Sequence, residues 1–296
     1  MKFKLFFSIL VFLIITSFVP FNKMVLGYDS NYVDISGSVY NNDNFIMIKM
    51  KREGNIIKAK CFLTKDENGN SVFKRFTEWS KNRNIILLTG AAYWTGNTYN
   101  DAVPFGLTID NGELVNRNMP AKGLDGLVIV YATGGISCTK INDGNLIFKG
   151  ACNPTNESMD LRNPWDLNEF INCAKEQKAT VFQQHLLVYK DTLTISSNGS
   201  DVERSSRFLA VCRDENDQIV HAIIYLPSYN SLFDGVKKVY SFLKDYNKMK
   251  KILFMINSDT GSDNIFRVYD KAGKIRPEIS GLVEPEKATS LLVYYY

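Results

Sequence analysis

Hydrophobic and polar positions alternate between two regimes along this chain. The first half is dominated by short apolar runs of strand length. Phe45–Met50 and Ile56–Leu63 flank the turn signal Glu53-Gly54-Asn55, a pattern that predicts a hairpin. Phe73, Phe76 and Trp79 recur every three residues, which predicts a short amphipathic helix ending before Asn82. Ile85–Leu88 and Leu127–Tyr131 are continuous apolar runs of strand length. Asn111-Gly112 between Ile109 and Leu114 is a tight-turn signal.

The second half is more regular. Asn163-Pro164-Trp165-Asp166 combines a side-chain cap, a proline suited to the first helical position and an acid in the first turn. Leu167, Phe170, Ile171 and Ala174 then fall on one helical face. Strands are expected over Thr180–Tyr189, Arg207–Cys212 and Ile219–Leu226, the last two joined by the polar turn Asp214–Asp217. A further helix is expected from about Asp234 to Tyr246, with Val236, Val239, Tyr240 and Leu243 on one side. Lys251–Asn257 and Leu291–Tyr296 complete the strands. The order strand, helix, strand over 219–257 is a candidate right-handed crossover. The fold class is therefore α+β: a single domain with a mixed, largely antiparallel β-sheet and a few flanking helices.

The N-terminus stands apart. Met1–Lys4 is basic, Leu5–Val19 is almost uninterrupted apolar sequence, and Pro20 and Val25-Leu26-Gly27 follow. This is the pattern of a secretory signal peptide over residues 1–27, with an uncleaved anchor as the alternative, because the run stops just short of the roughly 18 residues that span a bilayer. Either way the body, residues 28–296, is exported to a secreted, periplasmic or cell-surface location. The formal charge is +4, of which Lys2, Lys4 and Lys23 supply three, so the body has no electrostatic footprint for nucleic acid. No further apolar segment long enough to span a membrane occurs.

Export permits disulfides among Cys61, Cys138, Cys152, Cys173 and Cys212, and the closeness of Cys138 and Cys152 makes them the expected pair. Cys212 ends the run Phe208–Val211 and is expected to pack in the core. No C-x-x-C or Cys/His cluster suggests structural zinc.

Chemistry concentrates in three segments. Asn257-Ser258-Asp259-Thr260-Gly261-Ser262-Asp263 follows an apolar strand, where open sheets place ligands. Asp259 is there a candidate general acid or base, or a ligand for a divalent cation, and Gly261 and Ser262 candidate contacts for an anion. Asp259-Thr260-Gly261 spells the aspartic-protease triplet, but no second Asp-Thr/Ser-Gly exists to share the proton. Gly90-Ala91-Ala92-Tyr93-Trp94 offers small residues for close approach and two aromatic rings for a sugar. The third segment joins Gln183, His185 and Arg207. A guanidinium fork matches phosphate oxygens. The other histidine, His221, lies in a strand and is expected to be structural.

These segments, in this order, resemble the phosphodiester glycosidase family over about residues 85–265. The family's small-residue aromatic strand end corresponds to Gly90–Trp94, and its Pro-x-Gly-Leu-x-Ile-x-x-Gly hairpin to Pro104–Gly112. Its glutamine strand corresponds to Gln183–Leu187, its arginine to Arg207, and its Asn-Leu-Asp-Gly-Gly-x-Ser loop to the stretch from Asn257. The chain departs from the family pattern where Gly90 replaces asparagine, His185 replaces proline, and Ser258 and Thr260 replace leucine and glycine. Asp259, Gly261, Arg207 and Gln183 are retained. The resemblance implies an exported hydrolase for a sugar-phosphodiester or related glycan linkage. In it Asp259 and Arg207 are catalytic, and Gln183, His185, Tyr93, Trp94, Gly261 and Ser262 bind a carbohydrate or sugar-phosphate ligand. A non-catalytic glycan- or surface-binding protein on the same fold is the alternative.

Overall fold

The computed structural model describes residues 27–95, 102–118, 123–141, 158–195, 204–258, 264–279 and 284–296. The chain opens with β1 (Val33–Tyr40) and β2 (Asp43–Lys51), an antiparallel pair closed by Asn41-Asn42. Both asparagines have positive φ, 50° and 67°, as a two-residue hairpin twisted to match its strands requires. A short 3-10 turn at Glu53–Asn55 leads to β3 (Lys58–Phe62) and α1 (Val72–Ser80), whose first turn is capped by Ser71. Next come β4 (Ile85–Gly90), β5 (Trp94–Thr95), β6 (Val103–Pro104), β7 (Thr108–Asp110), β8 (Glu113–Asn116), β9 (Gly126–Val130) and β10 (Ile136–Lys140).

After α2 (Pro164–Glu176) follow β11 (Thr180–Gln184), β12 (Leu186–Tyr189), β13 (Thr192–Leu193), β14 (Arg204–Arg213) and β15 (Ile219–Asn230). Helix α3 (Leu232–Ser241) runs on into a π-helical turn, Phe242–Tyr246. The chain ends with β16 (Lys251–Ser258), β17 (Phe266–Tyr269), β18 (Ile275–Ile279) and β19 (Leu291–Tyr295).

The strands build a seven-stranded sheet, β1-β2-β15-β14-β16-β12-β13, and two five-stranded sheets, β10-β9-β11-β7-β8 and β18-β17-β4-β19-β3, with β5-β6 as a separate ribbon. Both faces of the seven-stranded sheet are covered. Leu209 and Val211 of β14 point to one side, into a core shared with Leu87, Val128, Phe182, Phe266 and Leu292 of the two smaller sheets. Phe208, Ala210 and Cys212 point to the other, against Val236, Val239 and Phe242 of the α3 region. The smaller sheets are backed in turn by α2, through Phe170 and Ile171, and by α1, through Val72 and Phe76. Layers covered on both sides explain why so many strands read as unbroken apolar runs rather than alternating ones. Each fully buried Phe or Leu contributes roughly 1.5–3 kcal/mol of apolar transfer energy.

The α+β class and all three expected helices are present. Asn163 caps α2 by accepting from the Trp165 amide, with Pro164 in the first turn. The expected turn at Asn111-Gly112 joins β7 to β8, with φ of 50° and 90°. The expected crossover exists in split form: β15 and β16 both lie antiparallel to β14, which separates them.

Three expectations are corrected. The Glu53–Asn55 turn does not close a hairpin, because β2 pairs with β1 and β15 while β3 pairs with β19 in another sheet. Thr180–Tyr189 is two strands, not one: β11 belongs to a five-stranded sheet, β12 to the seven-stranded one, and the chain changes sheet at His185. Cys138 is a free thiol while Cys173 is disulfide-bonded, so proximity in sequence misjudged the pairing. Cys212 is buried, as expected. Among the described residues no helix is long and apolar enough to cross a membrane.

Candidate functional site

The end of β4 is the hub of the candidate site. Gly90, Ala91 and Ala92 are small, and side chains from distant parts of the sequence hydrogen-bond to their backbone. Ser258 Oγ donates to the Gly90 carbonyl at 3.0 Å, and Gln184 Nε2 to the Ala91 carbonyl at 2.7 Å. Ser290 Oγ accepts from the Ala92 amide and donates to the Ala92 carbonyl, both at 3.0 Å. The sequence reading of close approach is thus realised by the protein's own backbone and side chains.

Arg207 lies beneath this hub with none of its surface exposed. It shares the inner face of β14 with Leu209 and Val211, so its guanidinium enters the space between sheets. Nη1 donates to Thr89 Oγ1 at 2.7 Å and to the Ile265 carbonyl at 2.6 Å, and Nη2 donates to Asn264 Oδ1. The guanidinium carbon lies 5.1 Å from the Phe266 ring centre, a cation–π distance. The two Nη atoms assigned from sequence to a phosphate thus tie β14 to Thr89 of β4 and to the two residues before β17.

The other predicted residues divide between rim and interior. Gln183 is fully buried, with Oε1 accepting from the Leu107 amide and Nε2 donating to the Leu124 carbonyl, both at 2.7 Å. Such a fully used amide braces the loops on either side. Tyr93 and Trp94 are half-buried. Tyr93 Oη accepts from Asn257 Nδ2, and its ring meets His185 edge-on with centroids 5.3 Å apart. Trp94 stands opposite Pro104 in the β5-β6 ribbon.

His185 occupies the joint between β11 and β12. Its backbone amide donates to Gln184 Oε1 at 3.0 Å, its carbonyl accepts from the Asn257 amide at 3.3 Å, and Nδ1 lies 2.8 Å from the Gly123 carbonyl. The Cα partner of Arg207 in β16 is Ser258, the residue before Asp259. Asp259, Gly261 and Ser262 themselves lie outside the described residues. The structure thus brings together Tyr93, His185, Asn257, Ser258 and, below them, Arg207.

Sequence reading included Thr89 in the segment that runs to Trp94, but did not single out Ser290 or Asn264. The available signal was polar residues placed at the ends of otherwise apolar strands. His221 is structural, as expected. It is buried between sheets with Nδ1 2.9 Å from Tyr294 Oη. Burial, then the nearby Arg52 charge, pushes its pKa down to about 3. Among the described residues no group of three or more His, Cys, Asp or Glu side chains is placed to hold a metal ion. Asp259, the carboxylate considered for a divalent cation, is outside that set.

Fold and rim together define an α+β protein with layered antiparallel sheets and a polar junction where four strands end or begin. No protein-family model matches the chain, and no curated protein matches it in sequence. Among solved structures it is similar to the catalytic domain of zebrafish N-acetylglucosamine-1-phosphodiester alpha-N-acetylglucosaminidase, auto-inhibited by its pro-peptide. That match has 13% identity and a TM-score of 0.48, and covers 89% of this chain and 82% of the other. A hypothetical protein from Synechocystis is similar at 9% identity and a TM-score of 0.46, covering 89% of this chain and 61% of the other.

Proposed function

We propose that the chain is an exported hydrolase acting on a sugar-phosphodiester or related glycan linkage. One observation carries the reading: segments that resemble the phosphodiester glycosidases and lie far apart in sequence end at one junction, with Tyr93 against His185, Asn257 against Tyr93, and Ser258 paired with Arg207. In this reading Arg207 fixes the strand ends and lends positive charge beneath an anionic substrate. Asp259, one residue beyond Ser258, acts as acid or base or positions the attacking water, and Tyr93 and Trp94 face the sugar. The basic and apolar leader supports export, and so does the disulfide at Cys173, a bond at home in oxidising compartments.

The test is release of sugar from a panel of sugar-1-phosphodiesters by the purified protein. Asp259→Ala is expected to lower the rate roughly 10²–10⁴-fold, the usual cost of losing an acid–base group. Absence of turnover by the unmutated protein on every member would sink the proposal. One observation favours the second reading, a glycan-binding protein without turnover: Arg207 is fully buried and its Nη1 and Nη2 donate to Thr89, Ile265 and Asn264 of the protein itself. Calorimetric glycan binding that weakens in Trp94→Ala, with no product formed, would establish it instead.

A further inference from the structure

The outer strands of the three sheets differ in how they meet solvent. β13 is two residues long, and β8 is four with Glu113 at its start. β18 contains Arg276 and Pro277, and β10 ends in Lys140. β3 carries Lys58 and Lys60, and its Ala59 amide donates outward to the Gly134 carbonyl at 2.9 Å. Short length, lysine and proline are the usual guards of a sheet edge. β1, at the end of the seven-stranded sheet, has none of them: it runs for 8 residues, Val33–Tyr40, with Asp34 its one charged side chain.

The backbone of this edge is open at alternate residues. The Asn41-Asn42 turn makes Tyr40 and Asp43 a hydrogen-bonded pair, so Ser38, Ser36 and Asp34 also turn their N–H and C=O groups toward β2. The bond from the Lys51 amide to the Tyr32 carbonyl, 2.8 Å, continues the series. Ile35, Gly37 and Val39 therefore point theirs outward, and among the described residues these groups meet no partner. The Val33 amide, next in line, is already given to the Asp29 carbonyl at 3.0 Å. Apolar surface flanks the open edge on both faces. Val39 is 68% exposed although it shares a face with the buried Val33 and Ile35, and on the other face Tyr246, packed on the Tyr40 ring, is 51% exposed.

The occupant is read from the strand itself. Ile35-Ser36-Gly37-Ser38-Val39 is the same in residue kind from either end: apolar, serine, glycine, serine, apolar. We propose that β1 pairs with β1 of a second copy of this chain, antiparallel about a two-fold axis at Gly37, so that two seven-stranded sheets become one. Each Gly37 then faces the other, and Ile35 exchanges both its hydrogen bonds with Val39 of the second copy. This register lays exposed Val39 against Ile35 and sets Ser36 opposite Ser38. It also places Asp34 opposite Tyr40 instead of the other Asp34, which avoids a like-charge pair. Such an isologous contact closes on itself and leaves no β1 edge open. An unrelated strand would meet the same backbone groups without this symmetry. The surface is apart from the β4 junction, and the proposal stands whether or not the chain cleaves a glycan linkage.

Sedimentation equilibrium of the purified protein, from low to high micromolar concentration, is expected to show a species of twice the chain mass. Residue-resolved hydrogen exchange on it should find the Ile35, Gly37 and Val39 amides as protected as those of Ser36 and Ser38. Val39→Lys is expected to weaken association roughly tenfold or more, because the two-fold repeats the substitution on each side of the axis. The Ile35 and Gly37 amides then exchange fast, while Ser36 and Ser38, bonded to β2, stay protected and report that β1 keeps its place. Gly37→Cys brings two thiols together across the axis and is expected to cross-link on mild oxidation, faster than Ser30→Cys, which is exposed but outside the strand. A protein monomeric throughout overturns the proposal, even if the edge takes some other strand. So does a dimer that Val39→Lys leaves intact with β1 in place, or one that Gly37→Cys fails to cross-link.

Discussion

At the residue scale, two positions have outcomes that follow directly from geometry. Gly106 has φ of +76°, and a Cβ built on it would sit 2.0 Å from Gln183 Oε1. Ala at this position meets both an unfavourable backbone region and a buried amide that is already fully used. Gly106→Ala is expected to destabilise the protein by about 2 kcal/mol or more, read by urea unfolding. His221 makes stability depend on pH. Its folded pKa, about 3, lies below the 6.5 of the unfolded chain. The stability is therefore present above about pH 6.5 and is lost as pH falls toward 3, because the unfolded state takes up the proton first. Between pH 7 and pH 4.5 that loss is roughly 2–3 kcal/mol. His221→Leu is expected to remove this part of the slope in chemical unfolding measured at both values, and an unchanged slope would refute the assignment.

At the scale of elements, local capping chemistry matches its packing. Asn163 and Ser231 each accept from a backbone amide in the first turn of α2 and α3. Asn163→Ala is expected to cost about 1 kcal/mol in thermal or urea unfolding, the typical value of a lost cap. Caps, turn residues and 3.6-residue spacing involve neighbours in sequence, which is why α2 and the Asn111-Gly112 turn were legible beforehand. The Asn41-Asn42 hairpin rests on the same kind of local chemistry. Strand partners are different. Nothing within Glu53–Asn55 states that the chain leaves one sheet for another there. Nothing in the composition of Thr180–Tyr189 marks the change of sheet either, apart from a polar Gln-Gln-His in an apolar run.

At the scale of the whole molecule, the cysteines show how far sequence proximity can mislead. A short loop separates Cys138 from Cys152, yet Cys138 is free, and burial pushes its thiol pKa up. Peptide mapping should find Cys138 alkylated once the protein is denatured without reductant, and Cys173 alkylated only after reduction. The reverse pattern would overturn the assignment. Reducing that disulfide is expected to cost about 2–4 kcal/mol of stability, as native cross-links of this kind do. Arg207 makes the same point for the site. Its residue type suits a ligand's phosphate, but in β14 it shares a face with Leu209 and Val211. The layers therefore bury it, and Thr89, Ile265 and Asn264 become its partners.

The sequence by itself determined the helices, the tight turn at Asn111-Gly112, the apolar strands and the α+β class, because each depends on side chains within a few residues of one another. It also placed His221 inside a strand and marked the polar stretch that follows β16. Only the tertiary structure decided which strands share a sheet, which cysteine is bonded, that Arg207 and Gln183 brace the interior, and that His185 surfaces beside Tyr93 and Asn257. Those outcomes depend on which faces meet across layers. A strand's period of two allows either face to be the inner one until its partners are in place.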